Sequence, residues 1–181
     1  GALFVSIAAG TPIRWFEEAL GPVPIIRSMP NTPAAVGRGV TALIGNARAS
    51  EAHMATAEAM LSAIGETVRL EDESQMDAVT GVSGSGPAYV FHLIEALAAA
   101  AEAEGLPPEL AMRLARATVC GAGELAFRTP ESAEALRIAV TSPGGTTAAG
   151  LAVLMDPETG LPPLIRRTVA AAAARSRELG G

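Results

Sequence analysis

Ala2-Leu3-Phe4-Val5-Ser6-Ile7-Ala8-Ala9-Gly10-Thr11-Pro12 opens the chain with an apolar run that stops at a turn signal. Leu3–Ala9 is apolar but for one serine, the pattern of a strand covered on both faces, as in a parallel sheet. Gly10 breaks the run. Thr11 is placed to cap a helix, and Pro12 to fill its first position, where no N–H is needed. The helix then covers Pro12–Leu20 and closes at Gly21-Pro22. Further strands are expected over Val23–Arg27, Val40–Gly45 and Glu66–Leu70, with a helix capped by Ser50 running to Ile64. This strand–helix–strand order predicts an α/β domain with a parallel sheet. A chain that starts inside a central strand reads as the back part of a larger domain.

After Glu71-Asp72-Glu73 the pattern turns helical. A helix starts over Glu73–Asp77, Val82–Pro87 interrupts it, and a long helix follows over Pro87–Glu104, closed by Gly105 with Pro107 beyond. Helices are expected over Pro107–Phe127, Pro130–Val140, up to Leu154, and Leu161–Leu179. The boundary between the two regions falls at Leu70–Glu73, giving 1–70 as the sheet domain and 71–181 as an all-helical one. Val90, Phe91, Leu93, Ile94 and Leu97 spread over more than one face of the long helix, so it is expected to be buried, between subunits.

Composition narrows the function. Apolar residues make up 49% and charged residues 18%. A typical soluble domain carries roughly 25% charged residues, so an extra buried surface such as a subunit interface is expected. Aromatics are only 3%, which leaves a core of close-packed alanine-rich helices. The Arg and Glu counts balance through Leu70, and the net charge of −6 lies beyond it. With no basic patch, the composition points away from nucleic acid. The absence of lysine excludes imine catalysis by a lysine and a P-loop lysine. A single cysteine, Cys120, excludes an internal disulfide and reads as a small packing residue. No apolar run is long enough to span a membrane, and the default location is the cytoplasm.

Two stretches could carry chemistry. Ser142-Pro143-Gly144-Gly145-Thr146-Thr147 lies between two helices. A Gly-Gly turn that feeds a hydroxyl-rich helix start gathers free N–H groups at the positive end of a helix dipole, which suits a carboxylate or phosphate. The local pattern alone slightly favours an ordinary interhelical turn with a threonine N-cap. The second stretch is the edge formed by Ala8-Ala9-Gly10 and Met29-Pro30-Asn31, each following the carboxyl end of a strand, where ligands bind in open α/β sheets; a plain connecting loop is the alternative. Gly81-x-x-Gly84-x-Gly86 lacks the spacing and the preceding strand of a dinucleotide fingerprint and reads as a close approach of helices. His53 is expected on a solvated face and His92 packed among core positions. Neither has a second ligand at metal spacing, so no metal site is expected. Tyr89 and Trp15 read as packing residues.

Taken together, several blocks resemble the pyrroline-5-carboxylate reductase family. They are Ser6-Ile7-Ala8-Ala9-Gly10, Arg27-Ser28-Met29-Pro30-Asn31-Thr32-Pro33, Asp77-Ala78-Val79-Thr80-Gly81 through Tyr89, Gly105-Leu106-Pro107, Val140 through Leu151, and Arg175-Ser176 with Glu178-Leu179. The resemblance implies a partial Rossmann-type domain followed by a helical dimerisation domain. It implies reduction of 1-pyrroline-5-carboxylate to L-proline, the last step of proline biosynthesis, with NADPH or NADH as cofactor. It implies a homodimer or a higher oligomer of dimers acting on a cyclic imino acid. On these blocks Thr147 is the catalytic residue, and Glu73, Ser142, Gly145, Thr146 and Thr147 bind substrate. Ile7, Ala8, Ala9, Met29, Pro30 and Asn31 lie by the cofactor. The family's Gly-rich turn for the cofactor pyrophosphate does not occur in these residues, and Ala117 and Ala139 depart from polar residues found in relatives. A non-catalytic helical module derived from the family, and a related Rossmann dehydrogenase of another small acid, stay open as alternatives.

Overall fold

The computed structural model describes residues 1–181. By contact the chain divides into two compact units, Gly1–Pro87 with Arg167–Gly181, and Ala88–Arg166.

The first unit holds a four-stranded sheet of β1 (Phe4–Ser6), β2 (Ile25–Met29), β3 (Gly39–Gly45) and β4 (Gly65–Arg69), in that spatial order. β1 and β2 are parallel, with Val5 opposite Ile26, and β3 and β4 are parallel, with Gly39 opposite Gly65. Between the two pairs the direction reverses: β2 and β3 are antiparallel, with Arg27 opposite Ile44. The sheet expected to be parallel is therefore mixed. The cause is the connection. A parallel pair needs a crossover of roughly a dozen residues or more, usually a helix. From Met29 to Gly39 the chain makes only a 3-10 turn, Thr32–Val36. Where a helix does intervene, α1 (Ile13–Leu20) between β1 and β2 and α2 (Glu51–Leu61) between β3 and β4, the strands are parallel. β1 is also shorter than expected: Ile7, Ala8 and Ala9 leave the ladder and are exposed.

The core of this unit is Ile26, Leu43 and Ala57, backed by Leu3, Val5, Ala49 and Met54. Side chains alternate along a strand, so Ile25 and Arg27 face away from Ile26. On that face Phe16, Ala19 and Leu20 of α1 form an apolar cleft with Phe4 and Ile25. α2 starts at Ser50 as expected: Ser50 Oγ accepts the His53 N–H, and His53 Nδ1 accepts the Ser50 N–H. His53 thus has a capping role that its spacing did not announce.

Beyond β4 come a 3-10 turn (Glu73–Gln75), α3 (Met76–Val79) and a π-helical turn (Thr80–Gly84). Val82–Pro87, expected to interrupt the helix, instead widens it, with Ser85 N–H donating to the Thr80 carbonyl at 2.8 Å. Gly81 is buried against α8 (Leu161–Leu179), where a Cβ would stand 3.0 Å from the Val169 carbonyl oxygen. This is the close helix approach its glycine suggested.

The second unit is built from α4 (Gly86–Ala103), α5 (Pro108–Arg128), α6 (Ala133–Ala139), α7 (Thr146–Leu154) and the start of α8. Its buried apolar residues, Ala98, Ala111 and Ala115, are all alanine, while Phe91 is 60% exposed and Val153 76%. Two expectations fail here for the same reason, that the apolar faces around them are uncovered in the single chain. His92 is exposed and pairs with Glu95 at 3.0 Å, and Cys120 is exposed. No helix is long and apolar enough to cross a membrane.

Candidate active site

In the sheet unit, parallel pairing brings the carboxyl ends of β1 and β2 to one rim. The Ala8 N–H donates to Ser6 Oγ at 3.2 Å, and Thr11 Oγ1 donates to the Ala9 carbonyl at 3.4 Å. Gly10 has φ +69° and lies against Leu179, whose Cβ would be 3.0 Å from a Cβ at position 10. Met29, Pro30 and Asn31 follow β2 and are half-buried. The Asn31 amide is engaged on both sides: Oδ1 accepts the Val40 N–H at 2.9 Å, and Nδ2 donates to the Ser83 carbonyl at 3.2 Å. Met29 Cε packs where a Cβ on Gly84 would come within 2.8 Å. The loop after β2 is thus pinned to the π turn by a side chain expected to face a cofactor.

The start of α1 differs from its sequence reading. Thr11 is not its cap; the N-cap is Pro12, which offers no side-chain acceptor. The first helical N–H, on Ile13, donates instead to Glu73 Oε1 at 2.8 Å. The same oxygen accepts from Arg27 Nη1 at 2.7 Å, and the Arg27 side chain is only 7% exposed. A carboxylate at a helix N-terminus lies in the favourable field of the dipole. Glu73 is itself firmly held. Asp72 caps its turn by accepting the Ser74 N–H at 2.7 Å, and the Ser74 hydrogen bonds keep the Asp72 carboxyl below its usual range. Four residues on, Asp77 accepts from Ser176 Oγ at 2.6 Å. Gly10, Pro12, Arg14, Arg27, Asp77 and Arg177 line a polar cleft of about 180 Å³ beside this network.

In the helical unit, Thr141 Oγ1 donates to the Arg137 carbonyl, closing α6. The turn that follows places Gly144 at φ +69°, a left-handed conformation that favours glycine. Gly145 donates its N–H to the Ser142 carbonyl at 3.1 Å, and a Cβ on Gly145 would collide with Ser142 Oγ. Gly145, not a threonine, is the N-cap of α7, and no side chain caps that helix. The first turn of an α-helix has no intrahelical acceptors for its N–H groups. Those of Thr146, Thr147 and Ala148 therefore gather at an uncapped end, beside the exposed Ser142, Thr146 and Thr147 side chains.

A model of the pyrroline-5-carboxylate reductase dimerisation family matches residues 73–179. The chain belongs to the pyrroline-5-carboxylate reductase family. The pyrroline-5-carboxylate reductase of Synechocystis sp. is 47% identical over 178 residues, covering 98% of this chain and 66% of that protein. The solved reductase of Coxiella burnetii superposes with a TM-score of 0.93 at 39% identity, covering 99% of this chain and 66% of that one. The Plasmodium falciparum pyrroline carboxylate reductase, solved with NADP bound, gives 0.84 at 31% identity, with 99% and 71% covered. The chain spans just under two thirds of the length of the curated relatives it matches first.

Within this family member a concavity of about 770 Å³ runs along α4 and α5 between Glu102, Glu109, Met112, Arg113, Arg116 and Cys120. It contains none of the Ser142–Thr147 residues, so the chemistry and this cavity point to different places. The uncapped helix end with hydroxyls beside it is the better guide, because the groove is an open surface trough between helices. Sequence reasoning missed Arg27 and Ser83 as parts of the network. The one available signal was a charged side chain following Ile25-Ile26 inside a buried strand, which requires a partner.

Proposed function

We propose that the protein carrying this chain reduces 1-pyrroline-5-carboxylate to L-proline with NADPH or NADH, as a homodimer or an oligomer of dimers in the cytoplasm. In this reading residues 1–70 are the C-terminal part of a dinucleotide-binding domain, and residues 71–181 self-associate and hold the substrate. The observation that carries it is the uncapped start of α7 behind the Ser142–Gly145 turn, within the family-matched region.

The substrate is a carboxylate beside a cyclic imine. Its carboxylate takes the Thr146 and Thr147 N–H groups at the positive end of the α7 dipole, with the Ser142 hydroxyl as a further donor. Thr147 Oγ1 hydrogen-bonds the ring nitrogen as the imine becomes a secondary amine. Gly145 keeps the turn open, since a Cβ there would push the Ser142 hydroxyl aside. A reduced nicotinamide, when bound, supplies the hydride. The exposed Ala8 and Ala9 with Ile7 beside them, and the loop Met29-Pro30-Asn31, fit a flat ring: small side chains leave the backbone of the rim accessible. A protonated imine already accepts hydride, so these residues act mainly by placement. Glu73, expected at the substrate, has Oε1 committed to Ile13 and Arg27.

Replacing Thr147→Ala in the intact protein is expected to lower kcat/KM for 1-pyrroline-5-carboxylate about 10–100-fold, or ~1–3 kcal/mol for one hydrogen bond at the reacting nitrogen. An unchanged kcat/KM would remove Thr147 from the mechanism.

A further inference from the structure

Glu73 joins parts of the chain that lie far apart in sequence. Its Oε1 receives the Ile13 N–H, the first of α1, and the Nη1 of buried Arg27 on β2. The helix it caps begins directly after Ile7–Pro12, and Pro12 provides no cap of its own. Gly10 in that loop is held from the other side by Leu179. Removing the carboxylate would uncap α1 and leave a cation inside the unit without its counter-charge, a costly arrangement.

We infer that Glu73 is a positioning residue: it fixes the start of α1 and, through it, the Ala8-Ala9-Gly10 rim that receives the cofactor, and it does not contact the substrate. The inference rests on the reading of that rim as the cofactor edge. It gives Glu73 a measurable signature that neither a substrate ligand nor a general fold contact would share.

The test uses the intact protein and NADPH. Glu73→Ala is expected to raise the NADPH dissociation constant about tenfold while the KM for 1-pyrroline-5-carboxylate at saturating NADPH stays within about twofold. Amide hydrogen exchange at Ile13 is expected to quicken about tenfold or more. Glu73→Gln keeps an acceptor for the Ile13 N–H and should fall between the two proteins in both readouts; it also serves if the alanine variant does not fold. Ser176→Ala removes the partner of Asp77 on the neighbouring turn and should lower Tm while leaving NADPH affinity within about twofold. A raised substrate KM with unchanged Ile13 exchange would overturn the inference, and so would equal loss of NADPH affinity in Glu73→Ala and Ser176→Ala. If the unaltered protein takes up no NADPH, the reductase reading fails, and Ile13 exchange alone decides whether Glu73 holds the rim.

Discussion

Asn46 ties three pieces of the sheet unit together with one amide. Its Oδ1 accepts the Ile25 N–H at 3.1 Å and the Arg48 N–H, and its Nδ2 donates to Glu17 Oε1 at 2.8 Å and the Val23 carbonyl at 3.0 Å. It is 9% exposed, so Asn46→Ala would leave buried backbone groups without partners. A loss of about 2–3 kcal/mol is expected, read as a lower denaturant midpoint at unchanged m. Gly65 is constrained differently. Its φ is +146°, and a Cβ there would overlap the backbone of Gly39, its partner in the ladder. Gly65→Ala should cost at least ~2 kcal/mol by the same measurement, since relief requires the β3–β4 register to open. In the sequence Gly65 is legible as the break between the helix ending at Ile64 and the strand from Glu66; its second duty, close approach to another glycine, is not. Asn46 carried no pattern at all, because its partners come from three segments.

At the scale of elements, Arg69 clips β4 to α2. Its guanidinium donates to both Glu58 oxygens and to both Glu51 oxygens, at 2.6–2.7 Å. These hydrogen bonds hold the carboxyls of Glu51 and Glu58 below the ordinary glutamate value of 4.5 and push the Arg69 pKa up. A carboxyl whose pKa is lower folded than unfolded stabilises fully above the unfolded value and loses that contribution as pH falls through the folded one. The difference in Tm between the unaltered protein and Arg69→Met should therefore be complete at neutral pH and shrink below pH 4.5. A gap that grows on acidification would contradict the clip. Element order was legible in the sequence, because apolar runs and turn residues alternate clearly. The direction of β3 was misread, although the nine-residue connection from Pro30 to Arg38 was in view; it is too short for a crossover. The Ser142–Thr147 turn was legible because its donors are consecutive. The Glu73–Ile13 contact was not, since 60 residues separate its ends and no period links them.

At the scale of the whole molecule, the helical unit keeps only small residues out of water, while Phe91, Leu125, Phe127 and Val153 are half or more exposed. Such a surface needs a cover, and in the proposed homodimer a second copy supplies it. Folding coupled to association makes Tm rise with protein concentration. A 100-fold increase is expected to raise it by several degrees, about RT ln 100 or ~2.7 kcal/mol of mass action; a Tm independent of concentration would point to a self-sufficient monomer. The division of the chain has another consequence. The helical unit, Ala88–Arg166, is inserted within the sheet unit, whose last piece is Arg167–Gly181. That piece carries Leu179, which backs Gly10. On the ribosome the sheet is made first, yet its rim cannot be seated until the helices have been synthesised. The nascent sheet must wait with its Ala8–Gly10 rim unsupported, and the last turns of α8 act as a latch on a segment synthesised well before them.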